Sequence, residues 1–176
     1  MDSSNQSFTK KHIVICIVLW TLTAALMAAI FWFSSQEADD SSETSGDFIE
    51  AFLTAFYRDF KQMDQADRDE IVKSMQYVVR TAAHLSEFIV LGALMCAAAH
   101  ATWRSGRKTA WIVFSVCVLY AVSDEVHQLF VEGRTFQWTD IAVDSVGSLA
   151  GVILSHAAVL RLSRRRGRGS GKESRE

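Results

Sequence analysis

The chain has 176 residues, of which 49% are hydrophobic and 22% charged, and a net charge of only −2 at pH 7. That length suits one domain, and the apolar share is too high for an average soluble protein that also carries long polar stretches, so the apolar residues must be concentrated. Its basic residues cluster beside apolar segments, where they orient a membrane protein and touch anionic lipid; nucleic acid is not an expected partner.

In chain order, residues 13–33 carry no charge and at 1.5 Å per residue span roughly 30 Å of hydrocarbon. The stretch is too long for a signal-peptide core and ends in Phe-Trp-Phe-Ser-Ser, so it reads as a retained helix. An acidic insert over 37–79 follows. Within it Phe48, Phe52, Phe56 and Phe60 recur every four residues beside Ile49 and Leu53, with Asp47, Glu50 and Asp59 mostly opposite, the pattern of an amphipathic helix. Its aromatic face suits either a membrane surface or the flank of a bundle. A further helix is expected to start near Asp64, with Asp67 and Asp69 in its first turn, and to run through Tyr77 into a second span over 82–101. Spans three and four are expected over 109–128 and 139–160, followed by an unstructured basic tail over 164–176. Cys16, Cys96 and Cys117 each lie within an apolar segment and read as small hydrophobes.

The expected fold is therefore an all-α membrane protein: four transmembrane helices in up-down-up-down order with an extracytoplasmic helical insert between helices 1 and 2. Lys10, Lys11, Arg104, Arg107, Lys108, Arg161, Arg164, Arg165, Arg166, Arg168, Lys172 and Arg175 hold twelve of the eighteen basic residues and flank the same helix ends. The positive-inside rule puts those ends and both termini in the cytoplasm and the insert outside.

Charge inside such segments is rare unless it serves a site or an interior pairing. Arg80, His84 and Glu87 share one helical face at the external entrance of span two; Asp124, His127 and Gln128 do so at the external end of span three, within Ser123-Asp124-Glu125-Val126-His127-Gln128. Asp140 and Asp144 open span four on a stripe that continues as Gly147 and Gly151, whose small-xxx-small spacing admits a close neighbour and turns the stripe toward the bundle. Arg134 follows Gly133 in the loop between spans three and four. Each residue has a plainer reading: a helix-end carboxylate as a cap, His12, His100 or His156 as a hydrogen-bonded interfacial residue, Arg80 and Arg134 as head-group anchors or as partners that neutralise Asp124, Asp140 or Asp144.

Three blocks then resemble the VanZ family of small bacterial membrane proteins, named for the teicoplanin-resistance protein of glycopeptide-resistance clusters. They are Phe33-Ser34-Ser35-Gln36; Arg80-x-x-x-His84-x-x-Glu87 with Leu91-Gly92; and Ser123-Asp124-Glu125-x-His127-Gln128-x-Phe130-x-x-Gly133-Arg134 followed by Asp140, Asp144, Gly147 and Gly151. The blocks cover all four spans and leave the insert and the tail outside the match. Phe88 and Glu132 stand where family members often have Tyr and Pro. The resemblance implies a multi-pass protein of the bacterial cell membrane with a cell-envelope role, reduced teicoplanin susceptibility being the named phenotype.

Two chemistries suit the polar set. As an enzyme on a lipid-linked or cell-wall precursor, His84, Glu87, Asp124 and His127 would be the catalytic acids and bases, while Arg80, Gln128, Arg134, Asp140 and Asp144 bind the substrate. A metal variant takes His84, Glu87, His127 and one of Asp124, Asp140 or Asp144 for zinc or another divalent ion, although His-x-x-Glu is not a zincin motif. The other class is a non-catalytic membrane protein that recognises a lipid head group, a glycopeptide or an envelope partner through the same residues. Ion or proton translocation ranks below both, because the cytoplasmic halves offer only His100 and His156.

Overall fold

The structure is a computed structural model that describes residues 3–36, 38–103 and 106–173, with side chains described for 10–36, 44–103 and 106–162. Glu37, the first residue of the insert, and Arg104 and Arg175 of the basic clusters lie outside the described residues. The helices are α1 (Ser3–Ser34), α2 (Ala38–Phe56), α3 (Gln65–Thr102), α4 (Arg107–Gln128) and α5 (Trp138–Glu173), with a short 3-10 helix at Arg58–Gln62. Four stretches are long and apolar enough to cross a membrane: Lys10–Ser34, Gln65–Thr102, Arg107–Gln128 and Trp138–Leu162.

At 38 residues α3 is about 57 Å long, well beyond the hydrocarbon thickness of roughly 30 Å. It starts where the acidic first turn predicts, after Asp64, and its first half forms a ledge that α2 packs against. Ile49 is buried there, and Gly46 lies against Val72 and Gln76. The four-residue phenylalanine period breaks at Tyr57, which is extended (φ −115°, ψ 103°). Phe60 thus leaves the face shared by Phe48, Phe52 and Phe56 and is fully buried beneath Arg68, whose guanidinium sits 5.3 Å from the ring centroid and donates to the carbonyls of Phe60 and Lys61 at 2.9 and 2.6 Å. The extended Tyr57 thus splits the expected single aromatic face, and Arg68 helps to satisfy the carbonyls of the 3-10 turn that follows.

α3 is the hub, touching α1, α2, α4 and α5, and its largest interface is with α5. A Cβ on Gly147 would lie 2.6 Å from the Leu85 carbonyl oxygen, one on Gly151 would overlap the Ile89 carbonyl, and one on Gly92 would overlap the Ser148 carbonyl. The predicted small-residue stripe therefore faces α3 and lets the two backbones touch. His84 faces Asp144, the Cys96 thiol points to the Val152 carbonyl and His100 meets His156, so α3 and α5 run in one direction. Tyr120 donates to the Met27 carbonyl and Ser34 to Asp124, so α1 and α4 run side by side in the other.

The core lies between these helices: Ile30, Phe88, Leu91, Met95, Cys96, Ala99, Val113, Cys117, Ala121 and Val152. Elsewhere the helices expose large apolar side chains, among them Ile13, Val14, Ile17 and Leu22 of α1, Trp111, Ile112 and Leu119 of α4, and Ile153 and Leu154 of α5. An apolar exterior of this extent belongs against hydrocarbon, not water. The loop from α4 to α5 turns at Gly133 with φ 74°, a left-handed conformation that glycine takes without strain, so the turn closes without the family's proline. The tail differs from expectation: α5 continues to Glu173 through the Arg-rich segment. No proline interrupts it, and extending a formed helix needs no new nucleus.

Candidate functional site

The polar end of the bundle forms where α1 and α4 finish, α5 begins and α3 passes through. α1 ends in Ser34, Ser35 and Gln36, which turn toward α4 and the following loop. Ser34 is buried and donates to Asp124 Oδ2 at 2.6 Å; Gln128 Nε2 donates to Ser34 Oγ at 3.1 Å and to the same carboxylate oxygen at 3.3 Å. This triad ties α1 to α4. One residue on, Ser35 Oγ lies 3.0 Å from His127 Nε2, and the His127 ring stacks on Phe31 with centroids 4.1 Å apart. Arg134 reaches back from the loop, its Nε donating to the Gln36 carbonyl at 3.2 Å.

A cavity of about 370 Å³ opens here. Arg80, His84 and Glu87 of α3 line one side, Ser34 and Gln36 at the end of α1 another, and Arg134 enters from the loop; Ile30, Phe33, Phe48 and Val79 supply apolar wall. A second, much smaller space of about 30 Å³ is bounded by Arg80, His84, Gln137 and Asp140. Like Arg80, His84 lines both. Its Nδ1 is 3.9 Å from Asp144 Oδ1, close enough for charge attraction and too far for a hydrogen bond. Among the described residues, His84 Nδ1, Asp124 Oδ1, Asp144 Oδ1 and Ser148 Oγ are buried polar atoms without a hydrogen-bond partner. Groups of this kind in a folded protein take up water or ligand.

The electrostatic balance is acidic. Asp144 lies within interaction range of Asp124, Asp140, Glu125 and Glu87, while Arg80 acts on His84 and Glu125. Among the described residues the ion pairs join Arg68 to Glu50 and His84 to Asp144, and neither involves Arg80 or Arg134. An arginine lock on the aspartates of the bundle is thus not what the side chains form among themselves.

A family model described as VanZ/LLP1 matches residues 19–161, most of the chain. The chain belongs to the VanZ/LLP1 family. The matched range runs through the insert, which the resemblance in the motif blocks had left outside. No curated protein and no solved structure matches the chain.

Of the residues read as a site in this VanZ/LLP1 protein, Arg80, His84, Glu87 and Arg134 share the larger cavity, and Asp140 shares the smaller one with Arg80 and His84. Asp144 stands behind His84, and Asp124 and Gln128 stand behind Ser34. His127 is set apart with Ser35 and Phe31. Among the described residues no group of three His, Cys, Asp or Glu side chains is placed to hold a metal ion. The His84, Glu87 and His127 set therefore does not meet as a metal centre, because His127 turns toward α1.

Four further residues, Ser34, Ser35, Glu125 and Ser148, shape the site without a role that spacing alone reveals. Ser34 and Ser35 do carry a signal, two hydroxyls and Gln36 ending an otherwise apolar span, which marks a polar wall. Glu125, 3% exposed, accepts a hydrogen bond from the Gln137 backbone N–H and so pins the start of α5 to the end of α4. Nothing in its spacing distinguishes it from Asp124. Ser148, fully buried one turn below Asp144, was hidden within the glycine stripe.

Proposed function

We propose that this VanZ/LLP1 protein works at the outer face of the bacterial cell membrane, with both termini in the cytoplasm, and holds the anionic head of a lipid-linked cell-wall precursor in the cavity lined by Arg80, His84, Glu87 and Arg134. The observation that carries the reading is that cavity: two guanidinium groups, an imidazole and a carboxylate converge in a space with apolar walls at one end of the candidate spans. Guanidinium forks match phosphate oxygens, and the apolar wall suits the first carbons of a lipid. Supporting the orientation, Lys10, Lys11, Arg107, Lys108 and Arg161 flank the opposite helix ends.

Size narrows the ligand. About 370 Å³ lies near the lower end of small-molecule sites, roughly 300–1,000 Å³, and suits a phosphate-bearing head better than a whole glycopeptide. A change in teicoplanin susceptibility then follows from altered handling of the precursor, not from capture of the drug. His84 and Glu87 also give the cavity two groups able to exchange a proton, with Asp144 Oδ1 3.9 Å from the His84 Nδ1.

Binding of a polyprenyl diphosphate to the purified protein in nanodiscs tests the reading. Arg80→Gln and Arg134→Gln should each weaken binding at least about tenfold, the worth of one charge-assisted hydrogen bond, with thermal stability unchanged in Arg80→Gln and slightly lowered in Arg134→Gln, which loses its bond to the Gln36 carbonyl. Equal affinity in both variants and the parent protein rejects it. Incubation with a lipid-linked precursor and mass analysis then separates processing from binding: product that disappears in His84→Gln while affinity persists marks chemistry.

A further inference from the structure

We propose that α2 lies in the membrane–water interface, with Phe48, Phe52 and Phe56 seated among lipid, so that the cavity beside it opens sideways to the bilayer. The inference deepens the head-group reading and rests on it only for what enters the cavity.

Phe48, Phe52 and Phe56 are 63%, 50% and 78% exposed, and the rings of Phe52 and Phe56 lie 4.8 Å apart. At 100° per residue the three fall within an arc of about 80°. The adjoining part of the same apolar arc, Ile49 and Leu53, turns toward α3, with Ile49 only 2% exposed. α3 thus covers half of the apolar surface of α2 and leaves the phenylalanine half bare. Asp47 and Glu50 lie away from that face, and Glu50 is 3.9 Å from Arg68. The acidic character of α2 is therefore carried on its other side.

What covers the bare half is indicated by its neighbours. Trp32 and Phe33 end α1, Tyr77 precedes His84 on α3, Phe130 follows α4 and Trp138 begins α5; all are exposed, and all lie toward the end of the bundle that holds the cavity. Exposed Trp, Tyr and Phe at one level of several spans mark a head-group belt. Phe33 of that belt and Phe48 of α2 line the same cavity, so the phenylalanine face continues the belt. Arg58 and Lys61, both exposed, follow α2 directly and suit lipid phosphate. Phe48 also shares the cavity with Arg80 and Arg134. A lipid-linked head group reaches both arginines while its hydrocarbon chain stays in the bilayer.

The test places a bimane fluorophore at Phe52→Cys, with Asp47→Cys as the control, in a Cys16→Ser background; Cys96 and Cys117 are buried. The full chain is reconstituted in vesicles of phosphatidylethanolamine and phosphatidylglycerol, and Phe56→Cys replaces Phe52→Cys if that variant does not accumulate. The expected result is blue-shifted emission at position 52, quenched at least twofold by doxyl-labelled lipid, and water-like, unquenched emission at position 47. Water-like emission at both positions overturns the proposal, as does efficient oxidative cross-linking of Phe52→Cys between copies, which would mean that a second chain covers the face. Polyprenyl diphosphate binding measured on the same vesicles keeps the two readings apart. A solvated position 52 with binding retained removes this inference alone; a lipid-quenched position 52 without binding removes the head-group reading alone.

Discussion

The seam between α3 and α5 and the attachment of α1 to the bundle are built in different ways. α5 meets α3 backbone to backbone through Gly92, Gly147 and Gly151, with no side chain between them at those points. α1 buries Ile30 in the core and is otherwise held by separate polar contacts: Ser34 to Asp124, Ser35 to His127 and Tyr120 to the Met27 carbonyl on the α4 side and, at the far end, Trp20 to the Thr102 hydroxyl of α3. Much of the rest of its surface is exposed. The first is a shape constraint that tolerates no added atom, whereas the second is a set of small independent terms. The site straddles both, with His84 and Asp144 on the rigid seam and Ser34 and Gln36 on the helix that can be loosened.

Breaking the seam should have the largest effect. Gly151→Leu drives a side chain into the Ile89 carbonyl and the Ala93 backbone nitrogen, where no rotamer relieves the clash. Overpacking in a core costs about 1–3 kcal/mol, and a clash with backbone more. The expected outcome is loss of monodisperse protein in detergent size-exclusion chromatography, and survival of a sharp peak would show that the helices can separate without harm. Next comes the buried triad. Asp124→Ala leaves Ser34 and Gln128 without their shared acceptor and should cost about 1–3 kcal/mol. Asp124→Asn keeps an acceptor and should recover most of it, so equal melting temperatures for the two variants would remove the hydrogen-bond explanation.

Single attachments of α1 should matter less. Interhelical hydrogen bonds within membranes average about 0.6 kcal/mol and reach roughly 1.7. Tyr120→Phe, which loses a 2.6 Å bond to the Met27 carbonyl, should lie toward the upper figure in denaturation with sodium dodecyl sulfate. Trp20→Phe, losing an exposed bond to Thr102 but keeping a ring against Trp103, should be nearly silent in the same assay. Should Trp20→Phe prove the more damaging of the two, α1 is anchored at its beginning and the comparison reverses.

Much of this was legible in the residues. The apolar runs marked all four candidate spans, because a helix in hydrocarbon must satisfy its own backbone and so announces itself by length. The start of α3 after Asp64 followed from an acidic first turn, and the Gly147-x-x-x-Gly151 stripe pointed to the face that α3 occupies. Arg80, His84 and Glu87 share a cavity because one helix carries them at three- and four-residue spacing. Less legible was anything that depends on rotation between helices. Asp124 and His127 are three residues apart, yet one is buried against Ser34 while the other stacks on Phe31 at the rim. Phe60 kept the four-residue period of α2 and still left its face, since the chain is extended at Tyr57 and the turn beyond it packs under Arg68, eight residues on.

Sequence by itself determined that this is an all-helical chain with four candidate spans and a polar group of residues drawn from several of them, since hydropathy and helical period are local quantities. Tertiary structure alone decided which of those residues meet. Bringing Arg134 and Arg80 to one cavity, turning His127 toward Ser35, putting Asp144 behind His84 and leaving the phenylalanine face of α2 bare all depend on how helices far apart in the chain are rotated against one another. That rotation is set by close packing at three glycines, of which only Gly147 and Gly151 show a spacing in the sequence, and by a few buried hydrogen bonds that leave no periodic mark on it.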